Sequence, residues 1–177
     1  IFRPEAGLWA IRSVTRRYLG APGDIPLSSD CNGDGTDDIG IFRPEGGLWA
    51  YPGITRTYFG GPDDQPIPAD FSGGGRAAIA LFRSGMGLWA VKNHTRAYYG
   101  DGGYIPQAAD WNGDGIIDIT AFFQYGDGYW WASDQLGVIA FGAAGDRPVA
   151  ARLFEPSLDD NPFPFFNTHP RRFLVDR

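Results

Sequence analysis

Two short stretches carry residue types that can hold a metal ion. Asp30-Cys31-Asn32-Gly33-Asp34-Gly35-Thr36-Asp37-Asp38 has the form D-x-N-G-D-G-x-x-D, and Asp110-Trp111-Asn112-Gly113-Asp114-Gly115-Ile116-Ile117-Asp118 repeats it 80 residues later. Oxygen-bearing side chains at positions 1, 3 and 5 of a tight loop converge on one point. Glycine at position 6 permits the sharp turn, and the carbonyl at position 7 adds another oxygen. Each loop also has an acid at position 9, so three carboxylates align. Such a set suits a hard cation with flexible coordination, Ca²⁺ rather than Mg²⁺ or zinc. The alternative is a cluster of Asx turns without metal, which would leave three close carboxylates repelling one another. Neither loop is an EF-hand, because position 12 is Ile41 or Ala121 instead of Glu and strand sequence follows. Asp38 and Asp118 are expected to close the two sites instead.

A third stretch at the same phase is an internal control. Asp70-Phe71-Ser72-Gly73-Gly74-Gly75-Arg76-Ala77-Ala78 keeps the first acid and lacks those at positions 5 and 9. It is expected to bind no Ca²⁺, with Arg76 neutralising Asp70. The next boundary, Ala150-Ala151-Arg152-Leu153, has no loop acids.

The elements that must position these loops are repeats. Phe2-Arg3-Pro4-Glu5 and Gly7-Leu8-Trp9-Ala10 recur as Phe42-Arg43-Pro44-Glu45 and Gly47-Leu48-Trp49-Ala50, then as Phe82-Arg83-Ser84-Gly85 and Gly87-Leu88-Trp89-Ala90. A looser fourth copy reads Ala121-Phe122-Phe123 and Tyr129-Trp130-Trp131-Ala132. Fixed spacing of 40 residues marks a repeat architecture. Within the second copy, β-formers alternate with turn residues, predicting strands at about 39–43, 47–51, 54–59 and 65–70. Four strands in about 40 residues is the size of a propeller blade. The expected fold is therefore all-β: a β-propeller-like array of about four four-stranded blades, with copies at about 1–38, 39–78, 79–118 and 119–158. Trp9, Trp49 and Trp89 are expected to fill the core between blades. The segment 159–177 does not repeat. Three arrangements stay open: the tail completes the first blade, two chains share a larger ring, or the copies stack openly and a partner caps them.

Composition agrees with many tight turns and a real core. Of 177 residues, 26 are Gly and 14 Pro, yet 43 % are hydrophobic and 15 % aromatic. That apolar content argues against disorder, and no window free of Gly and Pro keeps a helical apolar period. The net charge of −6 and pI near 4.7 argue against nucleic acid as a partner. No apolar run is long enough to span a membrane. No signal peptide is visible, and Ile1-Phe2-Arg3-Pro4 already reads as domain sequence, as expected if a leader was removed or the chain is a processed piece. The single cysteine, Cys31, permits no internal disulfide and is expected to be buried as an apolar residue. His94 and His169 lie 75 positions apart with no patterned nucleophile, so no catalysis is expected. His94 is expected on a strand. Arg3, Arg43 and Arg83 are expected to stack on aromatics or bind carbonyls between blades.

Taken together, the unit D-x-N-G-D-G-x-x-D-I-x-[IL]-F-R-P-x-x-G-x-W resembles the FG-GAP/VCBS-type repeats of bacterial extracellular proteins, including the G-x-I-P segment at Gly23-Asp24-Ile25-Pro26 and Gly103-Tyr104-Ile105-Pro106. The resemblance covers roughly 1–150. It implies a Ca²⁺-bearing propeller on secreted or surface proteins. It also implies ligands at Asp30, Asn32, Asp34, Thr36 and Asp38, and at Asp110, Asn112, Asp114, Ile116 and Asp118. The expected function is a non-catalytic, calcium-stabilised extracellular module for cell-surface adhesion, or a subunit of a surface assembly or appendage. The alternative is a lectin-like propeller, or an accessory domain of a secreted polysaccharide-acting enzyme, with Tyr99, Tyr104, Trp111 and Tyr125 as candidate sugar platforms. Expected partners are a surface glycan or another protein subunit. The Phe-rich stretch Asn161-Pro162-Phe163-Pro164-Phe165-Phe166 is expected to dock, either on its own domain or on a neighbour in a homo-oligomer or polymer.

Overall fold

A computed structural model of the chain describes residues 1–98, 103–133 and 137–148. Within them the protein is all-β, without α-helix. A first sheet has three strands, β1 (Phe2–Arg3), β2 (Leu8–Ile11) and β3 (Thr15–Tyr18). Three four-stranded sheets follow. The second holds β4 (Ile25–Ser29), β5 (Asp38–Arg43), β6 (Leu48–Tyr51) and β7 (Thr55–Tyr58). The third holds β8 (Asp64–Pro66), β9 (Ala80–Arg83), β10 (Leu88–Val91) and β11 (Thr95–Tyr98). The fourth holds β12 (Ile105–Ala109), β13 (Asp118–Tyr125), β14 (Gly128–Ser133) and β15 (Gly137–Ala140). Each sheet is an antiparallel meander in chain order, and the described residues form no closed barrel or propeller.

The structural unit is shifted by one strand from the division read in the sequence. The stretch expected as the last strand of the second copy, 65–70, supplies β8, the first strand of the next sheet. The turn before it explains the crossing. The Gly61 N–H donates to Asp64 Oδ2 (2.7 Å) and the Asp64 N–H to Gly61 O (3.2 Å), so this turn closes on itself instead of folding back on β7. The metal-type loops consequently join the first and second strands within a sheet, and do not link sheets. β8 is short because Pro68 has no N–H for the ladder, although the Ile67 N–H still donates to Ala80 O (2.8 Å) and Ala69 bridges Ala78.

Every sheet carries the same aromatic pair across neighbouring strands, the first and second of the three-stranded sheet and the second and third of the others. Phe2–Trp9, Phe42–Trp49, Phe82–Trp89 and Phe122–Trp131 have ring centroids 5.2, 5.1, 5.4 and 5.1 Å apart in tilted contact. Trp49 and Trp89 are fully buried. The tryptophans are thus core between sheets. Phe42, Trp49 and Tyr51 of the second sheet pack with Ala77 and Ile79 of the third. Phe82, Trp89 and Val91 of the third pack with Ala108, Ile117 and Ile119 of the fourth. Phe59, just after β7, packs on Leu81, Leu88 and Ala90.

Side-chain sizes compensate across this core. Tyr51 lies flat over Gly40, where an added Cβ would stand 2.5 Å from its ring. Its hydroxyl shares a hydrogen bond with Ser29 Oγ (2.9 Å), beside buried Cys31. In the third sheet the equivalent residues are Ala80 and Val91, which are register partners. Gly40→Ala is expected to cost about 1–3 kcal/mol through overpacking. The double variant Gly40→Ala/Tyr51→Val should lose less than the two single variants summed, because it installs the neighbouring sheet's solution. Urea unfolding of the three variants reads this coupling directly, and strict additivity would refute it.

Candidate metal loops and the ion pairs beside them

In the first loop, between β4 and β5, the Asp30 carboxylate sits at the centre of a ring of backbone donors. Its Oδ1 accepts from the N–H groups of Gly33 (2.6 Å) and Asp34 (3.2 Å), and its Oδ2 from Gly35 (2.7 Å). Desolvation pushes this carboxyl up, but the N–H groups of Gly35, Gly33, Asp34 and Asn32 outweigh it and hold the group below the usual carboxylate range. Asp34 Oδ1 accepts from the Thr36 N–H (2.9 Å). The Asn32 amide nitrogen donates to both Asp34 Oδ2 (3.0 Å) and Asp38 Oδ1 (3.4 Å), so those two carboxylates converge on one donor. Asp38 Oδ2 accepts from the Cys31 N–H (3.1 Å).

The second loop, between β12 and β13, repeats the pattern. Asp110 accepts from Gly113 (2.6 Å), Asp114 (3.1 Å) and Gly115 (2.9 Å), Asp114 accepts from Ile116 N–H (2.8 Å) and Asn112 (3.0 Å), and buried Asp118 accepts from Trp111 N–H (2.9 Å). Among the described residues no group of three or more acids, histidines or cysteines is gathered closely enough to hold a metal. Turn N–H donors answer part of the repulsion that the aligned acids would otherwise suffer. The donor set still fits a hard cation: a carboxylate has about four lone-pair positions, and the hydrogen bonds above leave several unused at Asp30, Asp34 and Asp38. The residues that would hold it are Asp30, Asn32, Asp34 and Asp38 with the Thr36 carbonyl, and Asp110, Asn112, Asp114 and Asp118 with the Ile116 carbonyl.

The third loop, 70–78, has the same backbone cradle. Asp70 accepts from the Ser72 N–H (3.0 Å) and hydroxyl (2.9 Å), from Gly74 (3.2 Å) and from Gly75 (2.6 Å). Desolvation raises its pKa and these donors, Ser72 first, bring it below the usual value. The expected Arg76–Asp70 pairing does not form. Arg76 reaches back to the preceding loop and donates from Nε (3.3 Å) and Nη2 (3.0 Å) to Cys31 O. The reason is that the loops stack. The Ala77 N–H donates to Asp30 O (2.7 Å) and the Ile117 N–H to Asp70 O (2.9 Å), so the position-7 side chain of one loop lies over position 4 of the loop before it. A Cβ on Gly33 would stand 2.6 Å from Arg76 Cγ, and one on Gly73 would stand 3.0 Å from Ile116 Cγ1. Glycine at position 4 is therefore a stacking requirement.

The recurrent arginines also have a different role from the one expected. Arg43 and Arg83 make bidentate ion pairs with Asp24 and Asp64, at 2.7 and 2.8 Å in both cases, and each Asp side chain is at most 1 % exposed. The same carboxylates cap the turn entering the sheet, since Asp24 Oδ2 also accepts from the Ala21 N–H (2.8 Å). In the fourth sheet the two positions are Tyr104 and Phe123, which stack at 4.3 Å. The signal was present in the sequence: an acid stands 19 residues before the arginine in two copies, and both charges vanish together in the fourth.

Other candidates resolve as follows. His94 is exposed in the turn between β10 and β11, not on a strand. Trp111 packs edge-on against Trp131 at 5.1 Å, Tyr104 is stacked as above, and Tyr125 is exposed. Tyr99, His169 and the tail 159–177 lie outside the described residues.

The ion pairs generate a pH dependence. Desolvation raises the Asp24 carboxyl, but the Arg43 hydrogen bonds, the Ala21 N–H and the Arg43 charge outweigh it and hold it below its ordinary 3.8. The folded state therefore binds this proton more weakly than the unfolded chain. Its stabilisation is complete above 3.8 and is lost as pH falls from there through the lower folded value. Urea midpoints measured downward from pH 5 should fall for the wild type and fall less for Asp24→Asn, and parallel curves would refute the assignment. Arg43→Ala should cost about 2–3 kcal/mol at neutral pH, because it leaves a buried carboxylate unpaired. Comparison of the chain with protein-family models, curated proteins and solved structures finds no match.

Proposed function

We propose that this chain is a calcium-stabilised, propeller-like repeat module of an extracellular or cell-surface protein, without catalytic function, serving adhesion or acting as a subunit of a surface assembly. One observation carries the reading. Two loops keep carboxylates at positions 5 and 9, while the loop between them holds the same backbone cradle with Gly74 and Ala78 there. The middle loop keeps its turn with Asp70 as its one acid, so the further carboxylates of Asp34, Asp38, Asp114 and Asp118 are more than the turn alone requires. The resemblance to FG-GAP/VCBS-type repeats rests on these loop residues and on the Phe-Arg-Pro segments, and it supports the extracellular setting. Millimolar extracellular Ca²⁺ suits sites of modest affinity. Calcium here is structural: it joins the first two strands of a sheet within a loop stack that runs from sheet to sheet. Trp111 and Tyr104 are engaged in packing, which favours the assembly reading over the sugar-binding one.

Binding only to the folded chain stabilises by mass action, about 2.7 kcal/mol per site when Ca²⁺ exceeds Kd a hundredfold. For a domain of this size that is a rise in Tm of roughly 5–10 °C per site. The melting temperature should drop in EDTA and recover with added CaCl₂. Asp34→Ala and Asp114→Ala should each remove part of the calcium shift, and the double variant all of it. A melting temperature indifferent to EDTA would sink the calcium reading.

A further inference from the structure

Charge is unevenly spread over the sheets. The chain has a net charge of −6, yet the stretches 48–59 and 88–98, which contain the last two strands of the second and third sheets, hold Arg56, Lys92 and Arg96 and no acid. Along β7, Arg56 and Tyr58 alternate with Thr55 and Thr57, so the first two share one face of the strand, and both are exposed. Arg96 and Tyr98 do the same on β11. Tyr58 is 63 % and Tyr98 62 % exposed, although tyrosine is a residue that cores readily take up. Arg43 and Arg83 are held by Asp24 and Asp64, whereas Arg56 and Arg96 have no ion pair among the described residues.

These pairs stand at the mouths of the clefts between sheets. Tyr98 and Arg96 are the register partners of Leu88 and Ala90, which lie against Phe59 at the end of the second sheet. Thr57, the partner of Trp49, is on the facing side of that second sheet, and the Lys92 ammonium donates to its hydroxyl. Tyr58 and Arg56 are likewise the partners of Leu48 and Ala50, and the exposed Arg17, partner of Trp9, belongs to the sheet before. The cleft between the third and fourth sheets is an internal control. There the matching positions on β15 are Val138 and Ala140, partners of Ala132 and Trp130. An outermost strand of this fold therefore needs neither a charge to guard its edge nor a tyrosine to form, and the two residues are lost together.

We propose that the rim formed by Arg56 with Tyr58 and by Arg96 with Tyr98 is a repeated binding surface for an anionic polysaccharide. A sugar ring lays its C–H face on the tyrosine ring. Its carboxylate or sulfate accepts charge-assisted hydrogen bonds from the guanidinium two residues along the strand. Two residues along a strand span roughly 7 Å, which suits one sugar and its acidic substituent. Two like sites on one array let a single polymer chain engage both, so contacts that are weak singly add through effective concentration. Charge density selects the class of polymer. Duplex nucleic acid carries one charge per about 1.7 Å and would bring many of them against the acidic remainder of the molecule. A polysaccharide charged on some of its sugars can seat those charges on the rim alone. The rim supplies a partner for the adhesion reading above, rests on that reading only for its setting, and does not need filled loops.

The test is fluorescence anisotropy of labelled carboxymethyl-dextran, dextran sulfate, plain dextran and a DNA duplex, titrated with the full chain at physiological ionic strength with Ca²⁺ present. At least one charged dextran should bind, the tighter of the two identifying the acidic group, and plain dextran should bind more weakly. Arg56→Glu/Arg96→Glu should weaken binding about tenfold. Tyr58→Ser/Tyr98→Ser should weaken it about threefold, a loss that a purely ionic contact would not show. Val138→Arg/Ala140→Tyr, which copies the pair onto the third cleft, should strengthen it. All six positions are exposed, and an unchanged melting temperature shows that each variant is folded. Failure of both charged dextrans to bind overturns the proposal. So does binding that the arginine or the tyrosine variant leaves intact, or plain dextran binding as tightly as the charged forms. Tighter binding of DNA than of either charged dextran overturns it in favour of nucleic acid. The calcium shift in melting temperature is read without polymer, so a normal shift with no polymer bound defeats the rim alone, and polymer binding with no shift defeats the calcium reading alone.

Discussion

A four-stranded sheet of this protein cannot bury its own aromatic pair. Phe42 and Trp49 meet across two strands and present one large apolar face, and only another sheet laid on that face removes it from water. At about 25 cal/mol per Å² of apolar surface, a buried Phe–Trp pair is among the largest favourable terms available to so short a unit. The stacked architecture follows. Each sheet covers the one before it, the repeat length must stay constant for the pairs to superpose, and the tilt of the rings is nearly the same in all four sheets.

Polar groups serve this stacking in two layers. At one edge, Asp24 and Asp64 hold the entering turn and the following arginine together, orienting the first strand against the second. Where that ion pair is absent, Tyr104 on Phe123 fills the same place by stacking. Two different interactions satisfying one position suggest that the position, not the charge, is what the fold requires. At the other edge, the loops are joined by backbone bonds from Ala77 to Asp30 and from Ile117 to Asp70. The acids within the loops are therefore set on a scaffold that already repeats, and their carboxylates point into turns that backbone donors have half neutralised.

Much was legible from the residues alone. Spacing of Trp9, Trp49 and Trp89 determined that the chain is a β repeat with aromatic cores, because a residue recurring at fixed intervals must fill the same hole. The turns at Asp30 and Asp34 and their counterparts were also legible, since residue type and spacing suffice to form them. What only the tertiary structure decided was pairing between segments distant in sequence. Whether 65–70 ends one sheet or begins the next depends on a turn closing through Asp64. Whether Arg76 meets Asp70 or Cys31 depends on how loops 40 residues apart stack, and the partner of Arg43 lies 19 residues upstream. Local pattern specifies strands and turns, but which strand a side chain faces is set by the packing of whole sheets, and no single stretch of the chain contains it.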